Sequence, residues 1–299
     1  MMGRMGDLTQ PNSGPARLRE LIAGDAVVVA PGAYDALSAR LVEQAGFDAV
    51  YMTGYGATAS LLGRPEVGLL SMTEMADQAR RFVSAVEVPV IADADNGYGG
   101  PLNVVRTVRE YAAAGVAALH IEDQVVPKKC GHMEGKRVIP RTEMVEKVHA
   151  MVEGRGGHDV LLIARSDARA PEGLDSALER VGAYRDAGAD LIFVDALQDW
   201  SEAVAFGEAF PDVPKVINFV EGGKTPFPDV AQLGEMGFRL MFSSLTALLA
   251  ATGAIQTRLA ALRDATATQP EPPLAFDAFN EVVGLSDAQA LEARLAVPS

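Results

Sequence analysis

The sequence predicts an α/β protein in which eight parallel strands, each followed by a helix, close into a (β/α)₈ barrel of the TIM type. Two observations lead to this prediction. Short apolar runs typical of buried strands alternate eight times with segments of helical period. Four helical segments also end in a residue pair whose second member is glycine, which supplies the left-handed conformation that stops a helix. These pairs are Ala45-Gly46, Ala114-Gly115, Ala187-Gly188 and Met236-Gly237.

Taken in order, the chain begins with a stretch rich in Gly, Pro and polar residues, and we predict a flexible tail over residues 1 to 14. A helix is predicted near Ala16 to Ala23. The predicted strands are Ala26 to Ala30, Ala49 to Thr53, Val88 to Ala92, Ala117 to Ile121, Val160 to Ala164, Leu191 to Val194, Lys215 to Asn218 and Phe238 to Phe242. The predicted helices between them include Tyr34 to Gln44, Thr73 to Val86, Leu102 to Ala114, Met144 to Val152, Leu174 to Ala187 and Val230 to Met236.

These elements place a single barrel at residues 15 to 263, because no linker divides the repeat. Residues 264 to 299 are predicted to form a C-terminal helical extension that packs outside the barrel or is swapped onto a neighbouring subunit. An open, doubly wound sheet is the alternative architecture. Eight units are many for that arrangement, and no G-x-G-x-x-G motif follows the first strand.

Composition excludes several classes of partner. Of the 299 residues, 48% are hydrophobic, and the formal net charge of −14 disfavours nucleic acid and anionic membranes as partners. No apolar run approaches the roughly twenty residues of a membrane helix, and the N-terminal residues lack the apolar core of a signal peptide. We therefore expect a cytoplasmic protein. Its single cysteine, Cys130, fits a reducing compartment.

An acidic pair at the end of the third predicted strand is the first candidate site. Asp93 and Asp95 follow the apolar run 88 to 92, and residues two apart on a strand point the same way. Two adjacent carboxylates favour a hard divalent cation with oxygen ligands, so Mg²⁺ or Mn²⁺ is predicted there. The glycines of the turn 97 to 100 allow the backbone to approach a bound ligand. A solvated or capping pair is the alternative for an isolated Asp-x-Asp.

The other strands also end in polar residues, and the carboxyl ends of the strands are where barrel enzymes place their active sites. Each of these residues could instead be a capping or turn residue. Together they predict a mouth with carboxylates for a metal and one arginine for an anionic substrate. The residues are Thr53, Gly54 and Tyr55 after the second strand, His120 and Glu122 after the fourth, Arg165 after the fifth, Asp195 after the sixth, Asn218 after the seventh, and Ser243 and Ser244 after the eighth.

His120 and Glu122 are two residues apart and therefore share a face of the fourth strand. We interpret Glu122 as an outer metal ligand that acts through water, and His120 as a hydrogen-bond donor to a carbonyl oxygen. The alternative for His120 is a core histidine whose hydrogen bonds are satisfied within the protein.

A long loop, Gln124 to Pro140, contains the motif Lys128-Lys129-Cys130-Gly131-His132. A loop of that length beside an active site is often a lid that closes over substrate. Two lysines and a histidine favour the thiolate form of cysteine, so Cys130 is a candidate proton donor or acceptor. The alternative is an unreactive loop cysteine.

With these features placed, the sequence resembles the isocitrate lyase and phosphoenolpyruvate mutase superfamily from about Ala16 to the C-terminal segment. Four motifs in combination support the resemblance, and together they are highly specific. They are Asp93-Ala94-Asp95-Asn96-Gly97-Tyr98-Gly99, His120-Ile121-Glu122-Asp123-Gln124, Lys128-Lys129-Cys130-Gly131-His132 and Ala164-Arg165-Ser166-Asp167-Ala168.

The resemblance implies a barrel with Mg²⁺ held by Asp93 and Asp95, partly through water, with Glu122 in the outer shell. It implies a small carboxylate substrate, a catalytic lid cysteine at Cys130 and a homo-oligomer, a tetramer in this superfamily. The residues that it assigns to the substrate are Thr53, Gly54 and Tyr55 at the α-oxyacid end, Arg165 on a carboxylate, and Gly131, His132, Asp195 and Asn218 around them.

The lid cysteine favours a lyase, because carbon–carbon lyases of this superfamily carry it whereas phosphonopyruvate-forming mutases generally do not. Residues 218 to 226 and 244 to 247 look most like the branch of 2,3-dimethylmalate lyase, oxaloacetate hydrolase and petal death protein. Three positions depart from the usual pattern. Glu66 stands where Asp is usual, Asp195 where 2-methylisocitrate lyase has Glu, and Leu249 where that lyase has an arginine for a third carboxylate.

The expected function is Mg²⁺-dependent cleavage of a 2-hydroxy dicarboxylate, of the methylisocitrate or 2,3-dimethylmalate type, to pyruvate or glyoxylate plus a carboxylic acid. The missing arginine makes a substituted malate easier to accommodate than a tricarboxylate. One alternative is oxaloacetate hydrolysis or decarboxylation, and another is a phosphonomutase reaction. A third is a barrel that binds metabolites and has lost turnover.

Overall fold

The computed structural model describes residues 14 to 131, 133 to 223, 225, 229 to 263 and 274 to 296. Its strands form a closed barrel in chain order, each parallel to both neighbours, with β8 paired to β1. The predicted barrel is therefore confirmed, and the open sheet is wrong. The strands are β1 (Val28–Ala33), β2 (Val50–Met52), β3 (Val90–Asp93), β4 (Ala118–Glu122), β5 (Leu161–Ser166), β6 (Leu191–Val194), β7 (Lys215–Phe219) and β8 (Phe238–Ser243).

Helices cover the outside of the barrel, and every predicted helix is present close to its predicted bounds. The helices are α1 (Gly14–Ala23), α2 (Ala36–Gln44), α3 (Gly54–Leu62), α4 (Met72–Ala85), α5 (Pro101–Ala114), α6 (Arg141–Arg155), α7 (Arg169–Glu172), α8 (Leu174–Asp186), α9 (Trp200–Ala209), α10 (Val230–Glu235), α11 (Thr246–Arg263), α12 (Phe276–Val282) and α13 (Leu285–Leu295). The predicted tail lies outside the described residues except for Gly14, which begins α1.

The four predicted glycine stops are confirmed. Gly46, Gly115, Gly188 and Gly237 have φ of +88°, +90°, +109° and +77°, in the left-handed region that favours glycine. Each stop turns the chain from a helix into the next strand. The barrel repeat is thus set locally at these four junctions.

Helix α3 was not expected, and the second strand is shorter than the predicted Ala49 to Thr53, since β2 ends at Met52. Thr53 is the N-cap of α3, and its hydroxyl accepts a hydrogen bond from the Gly56 N–H at 3.4 Å. The segment has no amphipathic stripe that would indicate a helix, because small residues and glycine occupy most of its first turns.

The core has two layers that follow the alternation of side chains along each strand. On β5, Leu161 and Ile163 belong to the cluster inside the barrel, whereas Leu162 and Ala164 belong to the layer between strands and helices. The same alternation directs Arg165 to the inside, two residues beyond Ile163. The interior is apolar where the strands begin and becomes polar where they end.

Helices α12 and α13 fall within residues 264 to 299, the predicted C-terminal extension, whereas α11 follows β8 as the last helix of the predicted barrel unit. Helix α12 is held against α2 because Arg40 and Gln44 both donate hydrogen bonds to the Val282 carbonyl, at 3.1 and 3.0 Å. No residue of α11, α12 or α13 is buried. Within the described part of the chain, none of the helices combines the length and the apolar character needed to cross a membrane.

Candidate active site

A small cavity lies at the end of the barrel where the strands finish. It encloses about 30 Å³, which is room for about one water molecule. Residues from six strand ends and from the loop between β4 and α6 surround it. The lining residues are Tyr51, Thr53, Tyr55, Glu66, Asp93, Lys128, Cys130, Gly131, Arg165, Asp195, Asn218, Val220, Ser244 and Leu245.

The two aspartates of the third strand are close together but are not both on the strand. β3 ends at Asp93, and Asp95 has φ of +56° in the turn that follows, so the predicted side-by-side arrangement on one strand face is wrong. The turn instead directs the Asp95 N–H to Oδ1 of Asp93 at 2.8 Å. Lys147 of α6 holds this turn from outside by donating to the Asn96 carbonyl at 3.0 Å.

Four acidic residues, Glu66, Asp93, Asp95 and Glu122, form a buried group that we call the carboxylate cluster. The Lys128 ammonium lies 2.6 Å from Glu66 Oε1, 3.1 Å from Asp95 Oδ1 and 3.6 Å from Glu122 Oε1. Among the described residues, no three His, Cys, Asp or Glu side chains converge to hold a metal directly. The lysine ammonium therefore contacts Asp95 and Glu122, two of the three carboxylates that were predicted to hold the divalent cation.

The cluster nevertheless fits a divalent cation that is bound partly through water. Both oxygens of Glu122 are buried without a hydrogen-bond partner among the described residues, and charged nitrogens lie 3.4 and 3.6 Å away. Oxygen-only donors of this kind suit Mg²⁺ or Mn²⁺, which commonly retain several waters. Asp93 is the member of the predicted ligand set that lines the cavity, so it is the candidate for direct contact.

The charges of the cluster are strongly perturbed. Burial raises the pKa of Glu122 well above its usual range, although Lys128 and Arg165 oppose this effect. Burial would also raise the pKa of Asp93, but a protonated His120, Lys128, Arg165 and the Asp95 N–H lower it to about 2. Asp93 is therefore ionised at neutral pH, whereas a divalent cation bound beside Glu122 would favour the ionised form of that carboxyl.

His120 does not line the cavity. Its Nε2 lies 2.9 Å from the Tyr51 hydroxyl, and Tyr51 is the residue that reaches the cavity. Burial lowers the pKa of His120 to about 4, so the imidazole is neutral at pH 7. The Tyr51 hydroxyl also lies 3.4 Å from Oδ2 of Asp93. Tyr51, which the sequence analysis missed, therefore lines the cavity in place of His120.

Arg165 is held in place by a carboxylate just after its own strand and by another just after β6. Its guanidinium donates to both oxygens of Asp167, at 2.9 and 3.0 Å, and to Oδ2 of Asp195 at 2.7 Å. The bidentate pair fixes the plane of the guanidinium. Asn218 donates to the other Asp195 oxygen at 3.2 Å, and Ser244 donates to the Asn218 side chain. The predicted residues Arg165, Asp195 and Asn218 therefore form one connected row.

Behind that row lies a second buried acid, Asp123, which the sequence analysis quoted only as part of a motif. Its carboxylate accepts hydrogen bonds from the Asp167 N–H, the Ser166 hydroxyl and the Tyr184 hydroxyl, each at 2.8 Å. These bonds fix the chain that follows β5. Asp123 therefore positions the Arg165–Asp167 pair without reaching the cavity.

The loop between β4 and α6 covers the cavity. Its base is closed by an antiparallel bridge between Gln124 and Val138, and its tip carries Cys130 and Gly131 to the cavity wall. A Cβ at Gly131 would lie 1.6 Å from Oδ2 of Asp195, so only glycine fits there. Lys136 pins the tip, since its ammonium donates to the Gly131 carbonyl and to Asp167 at 2.8 Å from Oδ1.

Gly54 is the other predicted residue that a side chain would disrupt. A Cβ there would lie 2.4 Å from Oδ2 of Asp93 and 2.6 Å from Oε1 of Glu66. Gly54 thus lets the start of α3 approach the carboxylate cluster.

Most of the predicted site residues lie together around this cavity. Asp95, Glu122 and Gly54 lie behind its wall, and His132 lies outside the described residues. The lining residues that were not predicted as site residues are Tyr51, Glu66, Lys128, Val220 and Leu245. Tyr51 could have been found from the strand period, since it is two residues before Thr53. Contacts made by the loops carried no such signal.

Comparisons with known proteins identify the family of the chain. The family model for phosphoenolpyruvate phosphomutase matches residues 18 to 263. The chain belongs to the isocitrate lyase and phosphoenolpyruvate mutase superfamily. The predicted superfamily is confirmed, and so is the predicted class of enzyme, a lyase of this superfamily.

One relative in the superfamily is the 2,3-dimethylmalate lyase of Eubacterium barkeri, which is 46% identical over 279 residues, 93% of this chain and 96% of the relative. A structure of oxaloacetate acetylhydrolase with the inhibitor 3,3-difluorooxalacetate has a TM-score of 0.91 and 38% identity, covering 95% of this chain and 97% of that chain. A phosphonopyruvate hydrolase complex with oxalate and Mg²⁺ has a TM-score of 0.83 and 30% identity, covering 94% and 98%.

Proposed function

We propose that this protein is a Mg²⁺-dependent carbon–carbon lyase, with Mn²⁺ as a possible substitute, that cleaves a 2-hydroxy dicarboxylate of the 2,3-dimethylmalate type. The products are pyruvate or glyoxylate and a simple carboxylic acid. The observation that carries the proposal is one cavity lined by Asp93, Arg165 and the lid thiol of Cys130. The name of the 46% identical relative supports the substrate class. Mg²⁺ in the phosphonopyruvate hydrolase complex supports the choice of metal.

The reaction breaks the bond between carbons 2 and 3 of the substrate. Carbon 2 keeps its oxygen and becomes a carbonyl, and the electron pair of the broken bond goes to carbon 3. A divalent cation, when bound at the carboxylate cluster, polarises the hydroxyl and the adjacent carboxylate. Glu66 and Asp93 line the cavity and provide carboxylate oxygens to which the hydroxyl proton can move.

The protein's own side chains act on both products. Arg165 binds the substrate carboxylate next to carbon 3 and holds the negative charge that develops there. The Tyr51 hydroxyl, backed by neutral His120, donates a hydrogen bond to the carbonyl oxygen that forms. Cys130 gives its thiol proton to carbon 3, which completes the carboxylic acid. The lid keeps water out during these steps, because Gly131 packs against Asp195.

The size of the cavity indicates that the lid must open for substrate to enter. A space of about 30 Å³ does not hold a substituted malate. Leu249, where 2-methylisocitrate lyase carries an arginine, is 46% exposed on α11 and does not line the cavity. The cations among the described lining residues are Arg165 and Lys128, and Lys128 is already paired with the carboxylate cluster, which supports a dicarboxylate over a tricarboxylate.

A screen for release of a 2-oxo acid tests the substrate class. The panel contains 2,3-dimethylmalate, citramalate, 2-methylisocitrate, isocitrate and oxaloacetate, each with Mg²⁺ and with chelator. We expect 2,3-dimethylmalate to be cleaved only with metal, and the two tricarboxylates to react far more slowly. Efficient cleavage of 2-methylisocitrate would contradict the preference for dicarboxylates.

Oxaloacetate hydrolysis is the second candidate. The TM-score of 0.91 with oxaloacetate acetylhydrolase favours it, since that protein shares nearly the whole fold. It would appear in the same screen as oxalate released from oxaloacetate without any 2-oxo acid from the malates. A phosphonomutase and a barrel without turnover are weaker, because neither accounts for a thiol on the lid.

Replacing Cys130 by alanine tests the lyase mechanism. We expect the turnover number to fall by roughly 10² to 10⁴, the range for loss of a general acid. The turnover number of Cys130→Ser should fall almost as far, because serine is similar in size to cysteine but its hydroxyl is a much weaker acid. Near-normal turnover of Cys130→Ala, with the metal requirement intact, would mean that the thiol is not the proton donor.

We also propose that residues 15 to 263 are the catalytic unit and that the chain is a homo-oligomer, with a tetramer expected. Helix α11 supports this, since Ile255, Leu259 and Leu262 are each more than half exposed at 57%, 58% and 67%. A second copy of the chain would cover this surface. Sedimentation of the intact protein tests the assembly. The cytoplasmic location stays a prediction from the sequence.

A further inference from the structure

Lys128 is a lid residue whose charge lies inside the carboxylate cluster. The residue is 4% exposed, and its ammonium contacts Glu66, Asp95 and Glu122 at 2.6, 3.1 and 3.6 Å. Burial would lower the pKa of Lys128, but these carboxylates raise it well above its usual range. A positive charge is therefore fixed there. The catalytic steps described above do not use it.

The position of Lys128 in the chain connects the cluster to the lid. Lys128 is two residues before Cys130 and three before Gly131, which packs against Asp195. Next to Lys128, Gln124 holds the lid backbone by hydrogen bonds to the N–H and carbonyl of Lys129, at 3.0 and 2.8 Å. Movement of the Lys128 ammonium would therefore carry the segment that bears the thiol.

We propose that Lys128 competes with the divalent cation for the carboxylate cluster, so that it sets the metal affinity and metal binding loosens the lid. This inference rests on the proposed function, because it requires that the cluster binds a metal. The predicted ligands of the divalent cation include Asp95 and Glu122, which are also partners of the Lys128 ammonium. Two cations at that spacing repel each other in a buried site, where charges are poorly screened.

The competition predicts whether removal of the Lys128 charge strengthens or weakens metal binding. Replacing Lys128 by methionine keeps the length of the side chain and removes the competing charge. The cluster then keeps its acids and loses its internal counter-cation, so it should bind a divalent cation more tightly. If Lys128 instead helped to hold the metal or its waters, the same change would weaken binding.

The test measures binding of Mn²⁺ to the full-length protein by electron paramagnetic resonance of free Mn²⁺, without substrate. We expect Lys128→Met to bind Mn²⁺ at least roughly ten-fold more tightly than the unmodified protein, the change that about 1.4 kcal/mol produces. Lys129→Met is the matched control. It removes the same charge from the next residue, whose ammonium donates to the Glu134 carbonyl at 3.2 Å. Its affinity should stay within about two-fold.

A second measurement uses the only thiol in the chain, Cys130, and needs no variant. The rate at which a thiol reagent modifies Cys130 reports how often the lid opens. We expect Mg²⁺ to raise this rate in the unmodified protein. In Lys128→Met the rate should be high already and should respond little to Mg²⁺.

The outcomes separate the two claims. If the unmodified protein binds no Mn²⁺, the metal-dependent function proposed above fails, and this inference fails with it. If it binds Mn²⁺ but Lys128→Met binds equally or more weakly, the competition alone is wrong. Should Lys128→Met not fold, a thiol rate that Mg²⁺ leaves unchanged or lowers would overturn the inference in the unmodified protein.

Discussion

The variant Asp93→Asn is expected to lose at least about 10³-fold in turnover, which corresponds to about 4 kcal/mol of transition-state stabilisation. Asp93 is the member of the predicted ligand set that lines the cavity, and its low pKa keeps it ionised at neutral pH. Asparagine has the same shape and can still accept the hydrogen bond from the Asp95 N–H. The change therefore removes a negative charge from the metal site while leaving the turn in place.

Steady-state kinetics with saturating Mg²⁺ and Mn²⁺ would measure this loss. Asp159→Asn is the matched control, because Asp159 is a half-exposed partner of Arg19 just before β5, at the opposite end of the barrel. It should change turnover by less than about two-fold. An Asp93→Asn variant that retains turnover in the presence of chelator would exclude a metal role for the cluster.

Replacing Arg165 by glutamine is expected to reduce turnover by about 10² to 10³-fold and to destabilise the protein by about 3 to 5 kcal/mol. The catalytic loss follows from removing the cation that opposes the substrate carboxylate. The loss of stability has a separate cause. Asp167 and Asp195 are buried, and both lose a hydrogen-bonded cation that lies within 3.0 Å.

The loss of stability should depend on pH in a definite direction. Arg165 and Lys136 hold the pKa of Asp167 far below its usual range, despite the opposing effect of burial. A lowered pKa contributes stability above the pKa of the unfolded carboxyl, about 3.9, and this contribution disappears as the pH falls. The difference between Arg165→Gln and the unmodified protein should therefore be largest near pH 7 and should narrow below about pH 4.

Denaturant unfolding at pH 7, 4 and 3 would measure this difference. Arg141→Gln serves as the control, because Arg141 pairs with Glu179 at 3.3 Å and both side chains are more than half exposed. It should cost less than about 0.5 kcal/mol at every pH. A difference for Arg165→Gln that does not vary with pH would mean that the buried ion pairs do not cause the destabilisation.

Much of the fold could be predicted from the sequence because the signals are local. The helix stops at Gly46, Gly115, Gly188 and Gly237 are backbone requirements that single residues impose. The apolar runs and the helical period alternate in a fixed order, and a right-handed crossover between parallel strands leaves few topologies. Helix α3 escaped because its signal is a capping threonine without an amphipathic stripe.

The sequence predicted the residues of the candidate site best where they lie at the ends of strands. Asp93, Arg165 and Asn218 come directly at the ends of strands, and barrel closure brings strand ends to one mouth. The conformation of Asp95 could not be predicted in this way, because a positive φ in the turn after β3 takes it off the strand. The two-residue alternation of side chains applies only within the strand.

The sequence by itself determined the barrel, the order of its strands and the acids, arginine and thiol that its mouth carries, because each depends on neighbouring residues. Only the tertiary structure decided which charges meet. Lys128 pairs with Glu66, 62 positions away, and His120 is hydrogen-bonded to Tyr51, 69 positions away. The packing of loops and strands in the closed barrel brings these partners together, because a buried charge is costly unless an opposite charge or a hydrogen-bond partner lies beside it. The local sequence pattern therefore does not predict these pairs.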